Sequence, residues 1–266
     1  MKNLFGLIGE KLGHSYSVDI HSLLYKKLDI NAHYYTFEIE RNKLSSAVDS
    51  MKTLNIKGLN VTIPYKTQVM KYIDCNSSEA KNIGAVNTIT LENGRTHGYN
   101  TDYFGFKGML YKYKIDIKDK KILLLGTGGV SKSIKQYLLD NEVKDIKTAS
   151  RNPENQGEMS YEDIKKSEDM DIIINCTPVG MFPNIENSPV ESSVISKFKI
   201  ALDIIYNPEK TEFLKIAEKL GLKTANGLYM LVVQAIKSEE LWNNIKIEET
   251  VIDEIYNEIR EQIYEK

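Results

Sequence analysis

Lys66, in "NVTIPYK", and Asp102, in "NTDYFGF", are the two residues of this chain whose types could together move a proton. A lysine with a lowered pKa, held by a nearby carboxylate, can serve as both acid and base. Asn60 and Thr62 point the same way if the first stretch is a strand, because strand side chains alternate faces. Pro64 cannot donate to a sheet ladder and so ends that strand. Taken alone, Lys66 also reads as a solvated lysine at a helix start and Asp102 as a helix N-cap. An enzyme that oxidises an alcohol with a dinucleotide gives the pair a task, since the hydroxyl proton must leave as hydride does.

"KKILLLGTGGVSKS" supplies the matching feature. An apolar strand runs into Gly126, Thr127, Gly128, Gly129 and Val130 and then into a helix faced by Val130, Ile134 and Leu138, where free N–H groups can hold a pyrophosphate. Ser131 stands at the third position of the glycine pattern, and a plain glycine turn is the alternative. The next strand ends "ASRNPE", with Ser150, Arg151 and Asn152 and no acid until Glu154. An acid there would suit the ribose hydroxyls of NAD, whereas a cation suits the extra phosphate of NADP. Arg151 can grip a phosphate by two charge-assisted bonds worth about 1.5 to 3 kcal/mol, a tenfold to hundredfold preference for NADP. An exposed loop arginine is the bland reading.

Ser15 and Ser17, in "GHSYS", read either as an N-cap pair or as two hydroxyls that hold a carboxylate at a helix N-terminus. Gln234 is a lone amide in "LYMLVVQAIK", by itself no more than a satisfied or surface residue. His14, His21, His33 and His97 have no metal-ligand spacing, and no metal is assigned. Cys75 and Cys176 lie far apart with no secretory segment, which points to a reducing compartment. The 35 Lys plus Arg nearly cancel the 37 Asp plus Glu, so nothing calls for nucleic acid or an anionic membrane. No run approaches the roughly 20 apolar residues of a membrane span. A cytoplasmic protein acting on a small molecule is expected.

The elements that must position these residues are those of an α/β protein. "LFGLIG", "HYYTFEI", "GLNVTIP" and "GAVNTIT" read as strands of a mostly parallel sheet, with helical patterns between them. Ile20, Leu23, Leu24 and Leu28 face the first helix, and Phe106, Met109, Leu110 and Tyr113 a helix that leaves this region. "DIKTAS", "DIIINCTP" and "IALDIIY" are later strands of the glycine-turn unit. After "NGLYML" the chain reads as helical to its end. At 266 residues, two domains are expected.

"GHSYS", "NVTIPYK", "GAVNT", "NTDYFGF", "GTGGVSKS", "NCTPVGM", "DIIYNP" and "NGLYMLVVQA" together resemble the shikimate dehydrogenases of the aromatic amino acid pathway, in order and at similar spacing from about residue 6 to about residue 240. The resemblance implies an N-terminal α/β substrate domain, a Rossmann-like NADP-binding domain and C-terminal helices returning to the first: residues 1–102 with 228–266, and residues 103–227. It implies Lys66 and Asp102 as the catalytic pair, and Ser15, Ser17, Asn60, Thr62, Asn87, Tyr206 and Gln234 around shikimate or 3-dehydroshikimate. It places the glycine turn, Ser150, Arg151, Asn152, Asn175, Thr177, Ile204 and Gly227 around NADP. A homodimer is compatible with it. The glycine turn is poorer in alanine than is usual in the family, and Ser150-Arg151-Asn152 replaces a usual Asn-Arg-Thr. An NAD-dependent quinate/shikimate dehydrogenase and a non-catalytic NADP-binding regulator are the alternative functions.

Overall fold

The computed structural model describes residues 2–13, 15–153, 155, 157–166 and 170–265; His14 and Glu154 lie outside them. In chain order the elements begin with β1 (Asn3–Gly9), α1 (Ser17–Lys27), β2 (Ala32–Glu38), α2 (Leu44–Leu54), β3 (Gly58–Val61), β4 (Cys75–Asn76), α3 (Ser78–Ile83), β5 (Thr88–Glu92), β6 (Arg95–Tyr99) and α4 (Asp102–Lys112). There follow β7 (Lys121–Leu125), α5 (Gly129–Leu139), β8 (Asp145–Ala149), β9 (Glu158–Met159), α6 (Tyr161–Ile164), β10 (Ile172–Asn175), α7 (Ser192–Ile195), β11 (Ile200–Asp203), α8 (Glu212–Lys219), β12 (Lys223–Ala225), α9 (Leu228–Asn243) and α10 (Glu249–Tyr264). The chain divides into two compact units, Met1–Gly105 with Val232–Lys266, and Phe106–Leu231.

The first unit is built on a six-stranded sheet in the order β2-β1-β3-β5-β6-β4. Strand alternation sends Phe5, Leu7 and Tyr34 to one face, where they pack with Tyr25 of α1 and with Trp242. Ile8, Leu59 and Val61 go to the other, against Leu44, Val48 and Met51 of α2. The sheet is mixed: β1 pairs in parallel with β2 and β3, and β4 with β6, but β5 is antiparallel to both β3 and β6. The cause is a hairpin at "ENGR", where Asn93 (φ 50°) and Gly94 (φ 75°) both occupy the left-handed region that a tight two-residue turn needs. Strand β5 also starts only at Thr88, because Gly84 (φ 71°) caps the C-terminus of α3 instead of opening a strand. The C-terminal run is broken at Asn244 (φ 51°), between α9 and α10.

The second unit has a six-stranded sheet ordered β12-β11-β10-β7-β8-β9, with every pairing parallel. Read from the other edge, that is the 3-2-1-4-5-6 order of the doubly wound dinucleotide fold, whose ligands bind beyond the carboxyl ends of the strands where the order reverses. Here the reversal lies between β7 and β10. Ile122 to Leu125 and Ile172 to Ile174 are fully buried, as parallel strands covered on both faces require.

Candidate active site

Lys66 follows β3 in a turn that the buried Tyr65 pins to the core; the Tyr65 hydroxyl donates to the Ile39 carbonyl, and Val86 N donates to Lys66 O at 2.7 Å. Lys66 Nζ donates to Asp102 Oδ2 at 2.6 Å, with the two residues only 9% and 4% exposed. Buried charges are sustained by such pairing. Asp102 opens α4, so its place at a helix start was legible, but its carboxylate is turned to Lys66 and to Asn87, whose Nδ2 donates to Oδ1 at 3.0 Å. The same Asn87 amide lies 3.0 Å from Thr101 Oγ1 and 3.0 Å from Gln234 Oε1, while its oxygen accepts from Thr101 N at 2.7 Å. Lysine, carboxylate, asparagine and glutamine thus form one continuous hydrogen-bonded group.

Asn60 and its cross-strand partner Thr88 sit on the face of the sheet that bears Tyr34. Asn60 Nδ2 points to Ser238 Oγ at 2.8 Å, Thr88 Oγ1 at 3.1 Å and Asn87 O at 3.3 Å, and its Oδ1 accepts from the Tyr34 hydroxyl at 2.8 Å. Thr62 lies one residue past β3 and half-buried, its N–H still bonded to Ile8 O at 3.0 Å, so it keeps the strand register of Asn60. Ser15 and Ser17 do not form the N-cap pair: the capping position of α1 is Tyr16, with no side-chain cap bond. Instead Ser15 Oγ donates to Ser17 Oγ at 3.0 Å and accepts from Ser17 N at 3.3 Å.

In the second unit Gly126 (φ 97°) turns the chain out of β7, and an added Cβ would meet Thr177 Cγ2 at 2.9 Å, so only glycine serves there. Ser131 Oγ donates to Gly126 O at 2.6 Å and ties the turn to α5. Thr127 and Gly128 are exposed, Gly129 and Val130 half-buried, and the N-cap of α5 is Gly128, with no side-chain cap bond. A Cβ on Gly128 would meet nothing within 4 Å. This is open space beside a helix N-terminus not capped by a side chain, a fit for a pyrophosphate. Past β8, Ser150 is buried and holds the loop through Asn152 N (3.2 Å) and Asn152 O (3.0 Å), leaving Arg151 and Asn152 exposed.

Asn175 is fully buried, and its side chain is engaged within the protein. Its Nδ2 donates to Asp203 Oδ1 at 3.1 Å and its Oδ1 accepts from Thr177 N and Oγ1 at 3.0 and 2.7 Å. Ile204 N donates to Asn175 O at 3.1 Å, and a Cβ on Gly227 would strike Ile204 O at 1.9 Å. These residues shape three adjoining loop segments by backbone and packing. Tyr206 is half-buried in the loop after β11, in the second unit. Asp203 also accepts from Thr211 Oγ1 at 2.6 Å and from Ile205 N at 3.0 Å, and burial pushes its carboxyl up to about 7 despite those bonds. Among the described residues no cluster of His, Cys, Asp and Glu could hold a metal ion.

Residues 7–89 match the family model described as the shikimate dehydrogenase substrate binding domain. The shikimate dehydrogenase (NADP(+)) of Clostridium perfringens is 46% identical over 266 residues, covering 97% of this chain and 98% of its own. The chain belongs to the shikimate dehydrogenase family. Among solved structures, shikimate dehydrogenase 1 of Peptoclostridium difficile is 47% identical with a TM-score of 0.93, over 98% of this chain and 99% of that one. A shikimate dehydrogenase solved in complex with NADP+ is 33% identical with a TM-score of 0.89, over 98% and 96%. As a member of the shikimate dehydrogenase family the chain is an oxidoreductase. The sequence reading did not single out Thr88, Thr101, Tyr34, Asp203 or Ser238 as site residues. Thr88 and Thr101 adjoin Asn87 and Asp102, and Ser238 follows Gln234 by one helical turn, so adjacency was a usable signal for three of them. Which of Tyr34 and Tyr35 faces inward needed the strand register.

Proposed function

We propose that this protein is an NADP-dependent shikimate dehydrogenase, which reversibly reduces 3-dehydroshikimate to shikimate. The observation that carries the reading is the buried Lys66–Asp102 pair, 2.6 Å apart and held by Asn87, in a chain of this family. When bound, NADPH supplies the hydride that adds to the ring carbonyl carbon. Lys66 Nζ gives its proton to the carbonyl oxygen as negative charge develops there, and takes it back from the hydroxyl in the reverse direction. Asp102 orients the ammonium and shares hydrogen bonds with the substrate. Asn60, Thr62, Asn87 and Gln234, with Tyr206, take the ring hydroxyls, and Ser15 and Ser17 the carboxylate. The Gly126–Val130 turn would hold the pyrophosphate, and Arg151, with Ser150 and Asn152, the 2′-phosphate, while Asn175, Thr177, Ile204 and Gly227 shape the remainder of that site. Residues 1–102 with 228–266 are on this reading the substrate domain, and 103–227 the NADP domain.

We assign this activity to the cytoplasm, on a small molecule and without nucleic acid or membrane; a homodimer is the assembly that sedimentation would test. The first experiment crosses shikimate and quinate against NADP+ and NAD+ and follows nicotinamide reduction. Turnover confined to shikimate with NADP+ is expected. Equal rates with quinate or NAD+ would replace the reading by a broader quinate/shikimate dehydrogenase, and no turnover in any arm would leave a cofactor-binding regulator.

A further inference from the structure

The side chains that the shikimate reading assigns to the substrate in the first unit stand on separate segments: Ser15 and Ser17 at the start of α1, and Asn60 on β3. Tyr34, on the edge strand β2, reaches the second of these. Its hydroxyl donates to Asn60 Oδ1 at 2.8 Å. Ser15 and Ser17 form a pair of their own, with Ser17 Oγ accepting from Ser15 Oγ at 3.0 Å. We propose that Tyr34 is a positioning residue for the substrate, fixing the Asn60 carboxamide in one orientation for a ring hydroxyl. The proposal rests on the shikimate reading and adds a residue that touches no substrate itself.

The hydroxyl is held where such a task needs it. The Tyr34 ring stacks on His21 at 3.9 Å and 9°, His21 Nδ1 lies 2.5 Å from Glu239 Oε1, and Asn243 Nδ2 donates to the other Glu239 oxygen at 2.7 Å. His21 and Glu239 are fully buried, and Tyr34 is 5% exposed. Burial, and then the nearby Glu239 carboxylate, hold the Tyr34 phenol well above its ordinary value, so it stays protonated and able to donate. Donation to Oδ1 leaves the Asn60 amide one orientation, with Nδ2 toward Ser238, Thr88 and Asn87, and one oxygen lone pair for a ligand hydroxyl.

The test is Tyr34→Phe in the full chain, which deletes one oxygen and keeps the stack on His21. Shikimate is varied at saturating NADP+ well below the variant's Tm. The expected result is a KM for shikimate raised about tenfold, as loss of one net hydrogen bond implies, with kcat within about threefold and the KM for NADP+ unchanged. In an Asn60→Ala background the same change should raise KM by less, because the amide that Tyr34 orients is already gone. An unchanged KM in Tyr34→Phe, an equal rise in both backgrounds, or a Tyr34→Phe chain that does not fold would each overturn the proposal, the last by showing a purely structural role. Absence of shikimate oxidation by the wild type would remove the functional reading itself, a distinct outcome that takes this inference with it.

Discussion

Lys66 and Asp102 illustrate how chemistry concentrates in a few atoms. The ammonium is paired at 2.6 Å in a nearly dry setting, so it sits in place before any ketone arrives and need not be reorganised during reaction. Replacing Lys66 by Ala should lower kcat by about 10²- to 10⁴-fold, with a smaller change in the KM for shikimate, read by steady-state kinetics. Near-wild-type turnover would take the lysine out of the mechanism. Arg151 is a different case, exposed in the loop that Ser150 anchors. Arg151→Ala should raise the KM for NADP+ about ten- to hundredfold and leave that for NAD+ unchanged; equal losses with both cofactors would show that it does not read the 2′-phosphate. Both residues were legible from type and neighbourhood. The contacts that fix Asp102 against Lys66 were not, because Asn87 lies 15 positions before Asp102, and Gln234, which Asn87 joins, far beyond.

Elements decide which of these residues meet. Trp242 of α9 donates its indole N–H to Ile89 O at 2.9 Å, stacks on Phe5 at 4.8 Å, and covers Gly58 so closely that a Cβ there would lie 2.1 Å from Nε1. That contact fixes α9 on the sheet and with it Gln234 and Ser238, which stand on the same helix. Gly58→Ala should therefore cost about 1 to 3 kcal/mol and lower Tm by several degrees, seen in thermal melts, and should raise the KM for shikimate more than that for NADP+. An unshifted Tm would mean that the indole has room to move. The β5–β6 hairpin was within reach of sequence reasoning, since Asn-Gly between β-prone residues is a strong turn signal. Its omission left the antiparallel course of β5 unread within a sheet whose other pairings are parallel. Strand β4, two residues long, carries too little periodicity to be read from the chain.

Across the molecule, a buried carboxylate couples stability to pH. Asp203 is raised to about 7 by burial, well above its ordinary value near 3.8, so the folded state holds a proton that the unfolded chain has already lost between those limits. Its contribution is fully present below about pH 4 and is lost as pH rises through about 7. The Tm difference between wild type and Asp203→Asn should thus move against the wild type from pH 5 to pH 8. A constant difference over that range would show that the Asp203 carboxyl titrates alike in both states. The sequence alone determined the α/β class, the glycine turn with its helix, the lysine and aspartate, and the arginine after the second strand of the parallel sheet. Each is set by local pattern: periodicity, glycine sterics, or a charge at a strand end. Only the tertiary structure decided that β5 runs antiparallel, that Asn60 and Asn87 share one hydrogen-bonded group, that Tyr34 and not Tyr35 turns inward, and that Asp203 is dry. Those depend on strand register and on contacts between segments far apart in the chain, where a one-residue slip would turn every side chain to the opposite face.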